Sequence, residues 1–116
     1  MGLRKDRLAD EIRDLIAQLL TGGRMNDPRL QTVAITGVKL TADLQLASIY
    51  FRFWGEITER EVKAGLKSAS SLFRTVVAQR IDMKKAPQLR FFYDKSVEYG
   101  SHIEDLFRHI KDEPVT

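Results

Sequence analysis

Leu8, Ile12, Leu15, Ile16, Leu19 and Leu20 recur at intervals of three and four near the start of the chain. Arg7, Asp10, Glu11, Arg13, Asp14 and Gln18 fill the places between them. At 3.6 residues per turn the two sets occupy opposite sides, so residues 5–21 are expected as an amphipathic helix. Gly22-Gly23 supplies a cheap helix end, and Asn26-Asp27-Pro28 a turn, because proline keeps its predecessor out of the helical region. The period then drops to two. Residues 46–54 alternate Ala47, Ile49, Phe51 and Phe53 against Ser48, Tyr50, Arg52 and Trp54, as a half-buried strand does. In residues 31–41, Val33 and Ile35 are out of phase with Val38 and Leu40. A bulge at Gly37 would bring all four to one face. Ala42-Asp43-Leu44-Gln45 joins the two strands as a hairpin.

Thr58 followed by Glu61 has the spacing of a capping box, so a second helix is expected to start there. The helical period runs from Val62 to Met83, but Ser68-Ala69-Ser70-Ser71 interrupts its middle with hydroxyl side chains that compete for backbone hydrogen bonds. Two helices meeting at a kink are therefore expected. Ala86-Pro87 stops the helix, and Leu89–Tyr93 forms a third strand. A last helix follows, with Ile103, Leu106, Phe107 and Ile110 on one face, and residues 111–116 form a frayed tail. The order is αββααβ plus a terminal helix: an α+β fold in one domain spanning residues 1–116, with its core at about 4–110.

Composition narrows the function. A length of 116 residues holds one core, and the absence of cysteine removes disulfides and thiolate chemistry while fitting a cytoplasmic location. No apolar run approaches the ~20 residues that span a bilayer, and Met1–Asp6 has no signal-peptide core, so no membrane partner is expected. The formal net charge of +3 hides an asymmetry. Residues 1–59 are neutral, residues 60–90 carry +6, and residues 91–116 carry −3.

The basic segment has a face. At 100° per residue Arg60, Lys63, Lys67, Ser70, Ser71 and Arg74 share one arc, while Val62, Leu66, Ala69, Phe73 and Val76 lie across from them. The apolar side is expected on the sheet and the cationic side in solvent, with Arg80, Lys84 and Lys85 extending the patch. Small side chains at the kink would let a phosphate backbone approach, and the helix N-terminus exposed there would add positive potential. The same charges also suit an ordinary solvated face.

Other candidates carry less. His102 and His109 are seven residues apart, whereas helical zinc pairs prefer four, so no metal is expected. Glu98 and Glu104 could be paired on paper as acid and base, but no nucleophile elbow, phosphate loop or other catalytic constellation accompanies them. Neither enzyme activity nor a cofactor is expected. Tyr50, Arg52 and Trp54 share a strand face that could stack bases or be covered by the terminal helix. Phe91, Phe92 and Tyr93 read as core and sheet, Asp27 and Arg29 as turn-setting residues, and Asp94 as a helix cap.

The element order resembles a type II KH domain, which clamps nucleic acid at its helix–helix junction through a GxxG loop. This chain has no GxxG, and Ser68–Ser71 stands at the junction. Three segments resemble the ribosome-binding factor A family: Asp27-Pro28-Arg29-Leu30 leading into Val33–Thr36, the hairpin Val38–Leu44 with Ala47–Tyr50, and Pro87–Ser96. In that family the junction is an Ala-x-Gly kink; here Ala69, Ser70 and Ser71 make it Ala-x-Ser. The resemblance implies a non-catalytic, monomeric, cytoplasmic assembly factor. It would bind the immature small (30S) ribosomal subunit and its 16S rRNA near the decoding centre, assist rRNA 5′-end processing, support growth in the cold, and leave with help from an assembly GTPase. The implied rRNA contacts are Arg60, Lys63, Lys67, Ala69, Ser70, Ser71, Arg74, Arg80, Lys84 and Lys85, with Arg4, Lys5 and Arg29 in addition. The competing expectation is a protein–protein adaptor that lost RNA binding with its GxxG loop.

Overall fold

The computed structural model of the chain describes residues 2–23 and 25–96. The expected terminal helix and tail, with Glu98, His102, Glu104 and His109, lie outside the described residues. Helix α1 spans Gly2–Thr21, a 3-10 turn Pro28–Leu30, strand β1 Val33–Leu40, strand β2 Leu46–Phe53, helix α2 Glu59–Arg80 and strand β3 Gln88–Tyr93.

Three strands form one sheet in the order β1-β2-β3, with β1–β2 antiparallel and β2–β3 parallel. A parallel pair requires a crossover, and α2 is that crossover. Both helices pack on one face, α1 mainly over β1 and α2 over β3. The core joins Leu8, Ile12, Ile16 and Leu19 of α1, Ala47, Ile49 and Phe51 of β2, and Val62, Leu66, Phe73 and Val77 of α2. Fully burying aliphatic or aromatic side chains of this size contributes roughly 1.5–3 kcal/mol each.

The bulge forms where the phase shift requires it. Ile35 pairs with Phe51 and Gly37 with Tyr50, leaving Thr36 as the extra residue on β1. Val33, Ile35, Val38 and Leu40 all join or pack against the core as a result. Thr58 caps α2 in a full capping box: its hydroxyl oxygen accepts from the Glu61 N–H at 3.1 Å, and the Glu61 carboxylate accepts from the Thr58 N–H at 3.0 Å.

One expectation fails. Where two helices were expected to meet at Ser68–Ser71, α2 is a single helix of 22 residues. Ser70 does not break the ladder, since its Oγ donates to the Leu66 carbonyl at 3.1 Å, one turn back along the same helix. Val62, Leu66, Phe73 and Val77 remain buried on both sides of that segment, so a continuous apolar row holds the helix together through it. The element order among the described residues is therefore αββαβ, and no second helix N-terminus opens within the basic stripe.

Candidate nucleic-acid interface

Helix α2 sorts its side chains as the periodicity requires. Val62, Leu66, Phe73 and Val76 are buried and Ala69 packs against them, while Arg60, Lys67 and Ser71 are exposed and Lys63, Ser70 and Arg74 half-buried. Arg80 is exposed in the last turn. Lys63 and Glu59 form an exposed i,i+4 pair at 3.2 Å, an interaction too solvated to neutralise the lysine strongly.

Lys63, Lys67 and Ser70 do not stand alone. They form one wall of a groove of about 400 Å³ whose other wall is β3, contributed by Leu89, Arg90, Phe91 and Phe92. Three cations and no carboxylate line it. Among the described residues strand β3 is an edge of the sheet, so the groove runs along the side of β3 that faces away from β2. Phe91 turns inward toward Phe73, with ring centroids 6.4 Å apart, whereas Phe92 is 40% exposed and stacks obliquely on Tyr50 at 5.7 Å. All three aromatic residues lie in β3 as expected of core and sheet positions, Phe91 and Tyr93 packed against the core and Phe92 on the outer side of the sheet. Alternation along β3 already puts Arg90 and Phe92 on one side, and that was the available signal for these two missed residues.

Arg74 has another use. Its Nε donates to the Pro87 carbonyl at 3.0 Å and its Nη2 to the Ala86 carbonyl at 3.3 Å, fastening the segment between α2 and β3 to the helix. Lys84 and Lys85 stand on that segment and, with Arg4 from α1, surround a second cleft. Lys5 lies beside Arg4 in α1, half-buried.

Arg29 is held in the turn. Its Nη2 lies 2.6 Å from Asp27 Oδ2, and the Asp27 carboxylate also accepts from the Arg29 backbone N–H at 2.9 Å. The Arg29 side-chain hydrogen bonds hold the Asp27 carboxyl below the usual carboxylate range, and the same pairing raises Arg29. Leu30 is thereby buried against α2, where a Cβ built on Gly65 would stand 3.0 Å from its side chain.

The face of the sheet away from the helices carries Tyr50, Phe92 and Arg90, with Trp54 58% exposed just past β2. Arg52 leaves this row: its guanidinium donates to the Asp94 carbonyl at 3.1 Å and lies 5.4 Å from the Tyr93 ring. Tyr50, Arg52 and Trp54 therefore make no continuous stacking platform. Asp94 accepts from the Ser96 N–H at 2.8 Å, as a capping residue does, and from the hydroxyls of Ser96 and Thr36. Those bonds lower its carboxyl, the Ser96 hydroxyl most.

Among the described residues no group of three or more His, Cys, Asp or Glu side chains could hold a metal, and no helix is long and apolar enough to cross a membrane. A three-stranded sheet covered on one face by two helices, with cations concentrated along one helix and the adjacent strand edge, defines a small α+β protein with a locally basic surface. The sequence profile of the family described as ribosome-binding factor A matches residues 4–107, and the chain belongs to that family. It is 42% identical over 109 residues to ribosome-binding factor A of Leuconostoc citreum, covering 92% of each chain. The solution structure of a Thermotoga maritima protein described as a ribosome-binding factor A superposes with a TM-score of 0.69 at 34% identity, over 84% of this chain and 93% of that one. A homology model of the Thermus thermophilus factor, fitted into a cryo-electron-microscopy map of its 30S complex, matches with a TM-score of 0.63 over 79% of this chain and 97% of that one. At 23% identity, that last likeness bears on the fold alone.

Proposed function

We propose that the protein binds the immature small ribosomal subunit through its 16S rRNA and assists late maturation, including processing of the rRNA 5′ end, without bond chemistry of its own. Membership of a ribosome-binding family supports the ribosomal partner. The observation that carries the RNA contact is the groove in which Lys63, Lys67 and Arg90 converge, lined by no carboxylate although Glu59 pairs with Lys63 at its rim. Phosphates of an RNA strand would lie against these cations, releasing counterions, while Ser70 and the strand edge leave room for the backbone. Phe92 stands at the same groove with part of its ring open to stack on a base. The protein would act in the cytoplasm as a monomer built from one KH-like domain over residues 1–116, with an assembly GTPase aiding its release. Its contribution to growth would be largest in the cold, where RNA rearranges slowly.

The test is cosedimentation of Lys63→Glu/Lys67→Glu/Arg90→Glu with purified small subunits. Loss of binding by a folded variant is expected, and undiminished binding overturns the assigned RNA face. Arg74 is left out of this variant because its guanidinium ties down the chain before β3. Exposed Trp54 and Phe92 favour, as a second reading, a protein partner on the sheet. Association through that apolar surface would be nearly indifferent to salt, whereas phosphate binding weakens steeply as salt rises.

A further inference from the structure

At the end of the molecule where the β1–β2 turn meets the α2–β3 segment lies a separate cleft of about 540 Å³. Its cationic lining is Arg4, Arg74, Lys84 and Lys85, and its one carboxylate is Asp43. Leu44, Met83 and Ala86 supply an apolar part of the wall. A concavity of this size, combining clustered charge with an apolar patch, suits a small charged molecule with a ring better than it suits a smooth polyanion.

The cleft is held in shape on both sides. Arg74 fixes one wall through the Ala86 and Pro87 carbonyls, and two carbonyls leave part of its five-donor guanidinium for a ligand. The Gln88 N–H donates to the Gln45 carbonyl at 2.9 Å, joining that wall to the hairpin turn. The turn is itself braced. Asp43 Oδ1 accepts from the Thr41 hydroxyl at 2.7 Å and from the Gln45 N–H at 3.0 Å. Its carboxylate is thus engaged within the turn rather than held open for a cation. Leu44 adopts φ 62, the only positive φ of a non-glycine residue among those described. A leucine held in the left-handed region stores strain of order 1 kcal/mol or more, and such strain clusters at ligand clamps. Here it sets Leu44 in the wall of the cleft.

We propose that this cleft is a binding site for one phosphate-bearing nucleotide, distinct from the groove beside β3. The phosphate lies among Arg74, Lys84, Lys85 and Arg4, and the base rests on Leu44, Met83 and Ala86. The ligand is a free nucleotide; an RNA strand held by the same cations would be the rRNA contact that the family resemblance already implies. The cleft and the β3 groove share no lining residue, so the two sites are separable, although Arg4, Arg74, Lys84 and Lys85 also stand among the rRNA contacts that the family resemblance implies.

The test follows backbone amide shifts of the full chain by two-dimensional NMR during titration with AMP and, separately, with the tetranucleotide r(UUUU). Saturable shifts centred on Leu44, Gln45 and Lys84–Gln88 are expected. They should weaken at least tenfold in Lys84→Glu/Lys85→Glu and persist in Lys63→Glu/Lys67→Glu. Saturation with AMP supports the proposal, and saturation only with the tetranucleotide overturns it in favour of an ordinary RNA contact. Absence of saturable shifts at the cleft with both probes overturns the proposal. So do shifts that survive Lys84→Glu/Lys85→Glu unchanged in a variant whose spectrum shows it to be folded.

Discussion

Arg74 Nε lies 3.0 Å from the carbonyl oxygen of Pro87, a bond that fastens the start of β3 to the middle of α2. Proline has no N–H to offer the sheet, so its carbonyl and that of Ala86 are the groups left at this junction, and a guanidinium reaches both. Replacing Arg74 by alanine leaves two carbonyls without donors. The expected cost is about 1–3 kcal/mol, read as a lowered urea midpoint. Lys67→Ala, which removes an exposed cation from the same helix, should shift stability by less than about 0.5 kcal/mol. Equal effects of the two substitutions would show that the tie contributes nothing.

Salt dependence should count the phosphate contacts of the β3 groove. Each cation that neutralises a phosphate contributes about 0.7–0.9 to the slope of log affinity against log salt. Lys63→Gln, Lys67→Gln and Arg90→Gln should each reduce that slope by about this amount in small-subunit binding. A weakened affinity with an unchanged slope would mean that the residue acts through shape rather than charge.

The capping box at the start of α2 is separable from binding. Thr58→Ala removes the acceptor for the Glu61 N–H and should cost about 1 kcal/mol in thermal or chemical unfolding. Thr58→Ser keeps the oxygen and should recover most of that loss. Failure of serine to rescue would assign the effect to the threonine methyl group instead.

Acid should lower stability through the partnered carboxylates. Asp27, Asp43, Glu61 and Asp94 are all held below their ordinary values of 3.8 for Asp and 4.5 for Glu, chiefly by hydrogen bonds from Arg29, Thr41, Thr58 and Ser96 respectively. Since the folded values are depressed, the stabilisation is fully present above the unfolded values and is lost as pH falls through the folded ones. Urea midpoints should therefore hold steady near neutrality and decline below about pH 4. Asp27→Asn should make that decline shallower, and a steeper decline would contradict the assigned sign.

Much of the chain was legible in order of residues alone. The interval-of-three-and-four pattern marked α1, strict alternation marked β2, and the Thr58/Glu61 spacing marked the start of α2. The broken phase of β1 even located a bulge, since side chains in a strand can change face only by inserting a residue, and Thr36 is that residue. These features depend on local backbone geometry, which neighbours in sequence control.

Tertiary structure decided the rest. The hydroxyl-rich Ser68–Ser71 segment suggested a break, yet buried Leu66 and Phe73 on either side and the Ser70 bond to Leu66 keep α2 whole. Charge periodicity set Arg74 in line with Lys63 and Lys67, but only the approach of Pro87 shows that its guanidinium serves the fold. Arg90 and Phe92 joined the lysines because a parallel β3 is laid beside α2, and Asp43 and Leu44 met Lys84 and Lys85 because Gln45 pairs with Gln88. The sequence by itself determined α1, the three strands, the start of α2 and the basic face of that helix. Which cations remain available for a ligand, and which residues share a cavity with them, depends on contacts between positions far apart in the chain, and no local period encodes those.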